Sequence, residues 1–61
     1  MNEVIKIFME RDRLTKKEAV HLYKEMREDI EEILRVGGSY DEVEDYLLAE
    51  GLEMDYIFCF I

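Results

Sequence analysis

Sixty-one residues with one cysteine, no proline and a net charge of −8 exclude much before any motif is read. A chain this short makes one domain and buries only about 60% of its unfolded surface, so a lone monomer is expected to be marginal. The single Cys59 rules out an internal disulfide, no Cys/His cluster has zinc spacing, and the acidic balance argues against a free-standing nucleic-acid binder, which needs a basic footprint.

With 49% hydrophobic and 39% charged residues, the chain reads as globular and helical rather than disordered. Helix packing or self-association is left to stabilise it, and a homodimer is the default expectation. Glu3 and Lys6 interrupt the first apolar run and no cleavage site follows, so no signal peptide is expected. The longest apolar run, Tyr56 to Ile61, falls far short of the roughly 20 residues a membrane-spanning helix requires. One free cysteine without an export signal fits a reducing cytoplasm.

In chain order, residues 2–11 place Val4, Ile5, Phe8 and Met9 at helical spacing, with Ile7 as an extra and Asn2 positioned as a cap. The β-branched and aromatic run from Val4 to Phe8 competes as a strand; helix is the preferred reading. Arg11 to Leu14 forms a short polar turn, and Leu14 is placed to staple onto Ala19. The second helix, residues 16–36, organises the chain. Thr15 and Glu18 make a capping box, each side chain satisfying an orphan backbone N–H. Ala19, Leu22, Tyr23, Met26, Ile30, Ile33 and Leu34 form one apolar stripe. Gly37 and Gly38 close it, and its length of about 30 Å matches a small domain.

A second capping box, Ser39 with Glu42, opens a third helix over residues 40–50, where Asp41 and Glu42 complement the helix dipole. Its core face is Val43, Tyr46 and Leu47, with Leu48 beside them. Gly51 terminates it and Leu52 folds back on the last turn. Residues 53–60 form a short helix or extended element, with Ile57, Phe60 and Ile61 on one side and Phe58 elsewhere. Six consecutive apolar residues cannot share one face, so this tail is either buried on most of its surface or in contact with another chain. The predicted fold is therefore a single all-α domain, a three-helix bundle with a short C-terminal helix or tail, dimeric through Tyr56, Ile57, Phe58, Phe60 and Ile61.

Little in the sequence suggests catalysis. Glu18 and His21 have the Glu-x-x-His spacing of di-iron bundles, but the chain has one histidine and the motif needs partners from facing helices; His21 with Glu25 reads as a helical pair. Cys59 lies between Phe58 and Phe60, apolar surroundings that leave a thiol inert. Ser39 is a cap, Gly37-Gly38-Ser39 is a hinge rather than a phosphate loop, and the Asp41–Glu50 run lacks the loop of a calcium-binding EF-hand. No catalytic residue, cofactor or metal is assigned.

The charge distribution says more. Residues 1–27 hold seven of the eight Lys/Arg and five of the sixteen acids; residues 28–61 hold Arg35 alone against eleven acids. Glu28, Asp29, Glu31 and Glu32 end one helix, and Asp41, Glu42, Glu44 and Asp45 begin the next. Across a tight Gly-Gly turn the two sets are expected to lie close together, where they would imitate a phosphate backbone and occupy a basic channel. Plain solvation of a small protein is the ordinary alternative. The aromatics Phe8, Tyr23, Tyr40, Tyr46, Tyr56, Phe58 and Phe60 read as core, though tyrosine also suits a partner-facing surface.

The runs Phe8-Met-Glu-Arg-Asp-Arg-Leu-Thr-Lys-Lys-Glu-Ala19, Glu42-Val-Glu-Asp-Tyr46 and Gly51-Leu-Glu-Met-Asp-Tyr56 resemble a group of short acidic helical proteins of phages, prophages and plasmids. The resemblance implies a bacterial host cytoplasm and a stoichiometric regulator or inhibitor of a host protein; it transfers no functional residue. Three functions follow as expectations. The first is a non-enzymatic, protein-binding regulator acting through the eight acids. The second is a homodimeric assembly module using the apolar tail. The third is an antitoxin-like partner with its basic half near DNA.

Overall fold

The computed structural model describes residues 2–61. They form three α-helices, α1 (Glu3–Arg11), α2 (Lys16–Arg35) and α3 (Tyr40–Ala49), followed by a 3₁₀ segment, Met54–Cys59. No strand occurs among the described residues, and the fold is all-α. Helix wins over strand at the start because Asn2 caps it: its side-chain oxygen accepts the Val4 N–H at 2.8 Å. Val4 and Phe8, four residues apart and so on one helical face, are then wholly buried.

The Thr15–Glu18 capping box forms in full. Thr15 Oγ1 accepts the Glu18 N–H at 3.2 Å, and the Glu18 carboxylate accepts the Thr15 N–H at 3.0 Å. Ala19, Met26 and Ile30 of the α2 stripe are buried, while Leu22, Tyr23, Ile33 and Leu34 flank them half-buried. At the far end Gly37 takes φ +89°. The Gly38 N–H reaches Ile33 O at 2.8 Å and the Gly37 N–H reaches Leu34 O at 3.4 Å, the paired bonds of a Schellman turn. α3 ends the same way: Gly51 at φ +78°, with Leu52 N–H to Leu47 O at 2.8 Å and Gly51 N–H to Leu48 O at 2.9 Å. Leu52 and Leu47 are both buried, the apolar contact that accompanies this turn.

Two cross-links reveal how the helices double back. Asn2 and Tyr23 both donate to the Cys59 carbonyl, so the start of α1 lies beside the middle of α2. Tyr46 donates to Asp29 at 2.7 Å, so α3 returns along the second half of α2. α2 is thus the spine of two successive hairpins, and the molecule measures 34 × 17 × 17 Å, about the length of this one helix. The 3₁₀ segment closes the core between them. With three residues per turn, Met54, Ile57 and Phe60 align; Ile57 and Phe60 are buried, and Phe60 stacks on Tyr23 at 5.0 Å between ring centroids.

That period corrects the expected tail face. Ile61 does not join Ile57 and Phe60, because it falls one step past the three-residue register, and it is 60% exposed. Leu48, expected beside the α3 core face, is also exposed; one residue beyond Leu47 is a rotation of about 100°, enough to carry it outward. The second capping box forms only by half. Ser39 Oγ accepts the Glu42 N–H at 3.4 Å, but no bond returns from the Ser39 N–H to the Glu42 carboxylate, which instead lies against Gly38.

Candidate functional site

All eight acids singled out by sequence are exposed, and some of them divide between two hollows. Asp29 and Glu32 of α2 meet Glu42 of α3 across an open cleft of about 460 Å³ that Ile33, Val36 and Tyr46 also line. Glu28 and Glu31 line a separate hollow with Lys24 and Arg27, and Glu31 accepts a bond from Arg27 at 3.1 Å. At 3.6 residues per turn, Asp29, Glu32, Ile33 and Val36 share one side of α2, Glu31 points away from it, and Glu28, one turn before Glu32, stands at the border between the two hollows. Asp41, Glu44 and Asp45 lie on α3 without joining the cleft. Of the two expected acidic sets, Asp29, Glu32 and Glu42 line one cleft together with Ile33, Val36 and Tyr46.

The cleft is held together by the Tyr46–Asp29 bond. Tyr46 is half-buried, and its phenol is held well above its ordinary range, first by burial, then by the hydrogen bond to Asp29 and the negative charges of Asp29, Glu50 and Glu25. Each effect opposes a phenolate, so Tyr46 is a neutral donor at any physiological pH. The ion pairs among the described residues are Arg11–Asp12 and Arg27–Glu31, and His21 Nε2 lies against the Glu25 carboxylate. None uses Asp29, Glu32 or Glu42, so among the described residues the cleft carboxylates have no ion-pair partner.

The other singled-out residues divide by burial. Ile57 and Phe60, assigned to self-association, belong to the chain's own core, and Tyr56 is half-buried at its edge. Phe58, 80% exposed, and Ile61 stay outside. His21 pairs with Glu25 at 2.8 Å, and Glu18 is engaged by Thr15, which holds its carboxyl below the usual range. Among the described residues no three His, Cys, Asp or Glu side chains gather as a metal site, and no helix is long and apolar enough to cross a membrane.

Sequence reasoning missed Arg11. Its guanidinium donates to the carbonyls of Gly51 and Glu50 at 3.3 and 3.2 Å, grips Asp12 at 2.9 Å, and lies 5.8 Å from the centroid of the Phe8 ring. A cation at a helix C-terminus meets the negative end of the dipole, so Arg11 fastens the end of α1 to the end of α3. The Arg11 bond holds the Asp12 carboxyl below its ordinary range. Nothing local announces a contact that spans forty residues.

No protein-family model matches the chain, and comparisons with curated proteins and with solved structures find no similar one.

Proposed function

We propose that this protein is a non-enzymatic regulator or inhibitor of a mobile genetic element, binding stoichiometrically to a basic surface of a host protein that handles nucleic acid. The observation that carries the reading is the segregated charge: eleven acids against one arginine after residue 27, with only Glu31 of the eight singled-out acids in an ion pair among the described residues. Exposed carboxylates with no internal cation repel one another and gain most by meeting a positive partner. The same residues explain solubility if no such partner exists, and salt separates the two cases. A tagged chain is used to capture partners from bacterial lysate at low and high salt, with a charge-reversed variant (Glu28→Lys, Asp29→Lys, Glu42→Lys and Glu44→Lys) in parallel. Recovery of a nucleic-acid-handling protein that salt and charge reversal both release is the expected result; capture that survives both overturns the reading.

A second reading rests on Phe58 and Ile61, apolar side chains left outside the core. A large apolar surface exposed to water favours association, and a homodimer through these residues gives an assembly module. Because Ile57 and Phe60 hold the core, deleting the tail would unfold the chain and test nothing. Phe58→Ser with Ile61→Ser leaves the core intact, and sedimentation of this variant beside the parent chain decides the matter: loss of a dimer favours the module, and identical mass excludes it.

A further inference from the structure

We infer that the outward side of α2 is a self-complementary strip on which a second copy of this chain lies antiparallel, closing a two-fold dimer. The inference depends neither on the acidic-surface reading nor on the apolar tail. Lys17, His21, Lys24, Glu28, Glu31 and Arg35 follow one another at alternating steps of four and three residues, so they stand within about 40° of one line along the helix. That line runs opposite Ala19, Met26 and Ile30, which are buried, and all six residues are exposed. Two hollows open along it. One, of about 430 Å³, holds the half-buried Val20 between Lys17, His21 and Lys24; the other, of about 290 Å³, runs from Lys24 to Glu28 and Glu31. Lys24 belongs to both, which makes the strip continuous.

The order of charge along the strip picks the occupant. Two lysines precede two glutamates, so a parallel copy sets like on like, whereas an antiparallel copy sets each half against its opposite. A two-fold axis repeats every such contact. Steps of four and three keep a seam facing a partner helix, and in the antiparallel register Lys24 lies opposite Glu28 of the second copy and His21 opposite its Glu31. Lys17 and Arg35 meet at the two ends, where their long side chains bend into water. Within one chain these charges are poorly used. Lys24 precedes Glu28 by four residues, the order that pairs less well along a helix, and among the described residues no ion pair joins them. Glu31 is held by Arg27 and His21 by Glu25, exposed contacts that cost little to rearrange. Val20 and the lysine stems supply the apolar contact. The seam is only about 30 Å of helix, so the dimer is a weak one, populated as the chain approaches about 1 mM.

The test is a charge exchange followed by sedimentation equilibrium of the full chain up to about 1 mM, at physiological ionic strength, where repulsion between two acidic copies is confined to about 8 Å. Lys24→Glu and Glu28→Lys each place like charges opposite one another twice, and each alone should weaken self-association by about tenfold. An equimolar mixture of the two variants restores both contacts and carries the same total charge as two parent chains, so it should associate within about threefold of the parent. Both positions lie on the side of α2 away from the core, so folding is preserved, and circular dichroism checks it. A parent chain that stays monomeric at the highest concentration overturns the inference. So does a parent dimer that either variant leaves intact, or a mixture that remains as weak as its components. Because only purified chain is used, none of these outcomes bears on the capture of a host protein.

Discussion

Where α1 gives way to α2, the charged side chains Arg11, Asp12 and Glu18 all serve the fold: one fastens α3, one holds that cation, one closes a capping box. Where α2 gives way to α3, the turn is made by backbone and glycine, and Glu32 and Glu42 face a cleft with no ion-pair partner among the described residues. The two junctions join helices equally well. The first uses its charges to do so, and the second leaves them exposed. Charge at the first junction is therefore tied into the fold, and at the second it stays outside the hydrogen bonds that make the turn.

The comparison is broken most severely at Gly38. A Cβ there would stand 2.6 Å from the Ile33 carbonyl oxygen and from its Cγ2, so Gly38→Ala should cost about 2 kcal/mol through overpacking, read by thermal unfolding. Capping distinguishes the junctions next. Thr15→Ala removes a full box and should cost about 1 kcal/mol, while Ser39→Ala, with its longer 3.4 Å bond, should cost about half as much. Equal losses would deny that the junctions differ.

Arg13 offers a test in the opposite direction. It holds φ +55°, a conformation that strains a side chain with a Cβ, so Arg13→Gly should stabilise the chain by about 0.5 kcal/mol in urea unfolding. The smallest effect lies outside the ordinary pH range. Tyr46 has a raised folded pKa, so the stability it contributes is complete below the unfolded value near 10 and is lost as pH climbs beyond it. Alkaline titration of phenolate absorbance should show a late component that Tyr46→Phe removes.

What the sequence made legible was local. Caps, glycine stops and the α2 stripe lie within a few residues of their partners, so α1, α2 and α3 agree with expectation to about one residue at each end. Contacts across distant segments were not legible. Arg11 on the α3 carbonyls and Tyr46 on Asp29 depend on which helices meet, and no spacing rule encodes that. The tail was misjudged at Ile61 because an α-helical or extended period was applied where a 3₁₀ period operates. The acidic set was found residue by residue, but its division between cleft and outer faces appears only once α2 and α3 are packed.

The meeting of Asn2 and Tyr23 at the Cys59 carbonyl has a kinetic consequence. Most of the chain's structure forms between near neighbours, which costs little loop entropy and proceeds fast. This one knot joins positions 57 apart in sequence and waits for both hairpins. It should form last and open first, acting as a clasp: while closed, neither the first helix nor the last turn frays alone, and once sprung, Phe60 leaves Tyr23 and both segments are offered to a protease together.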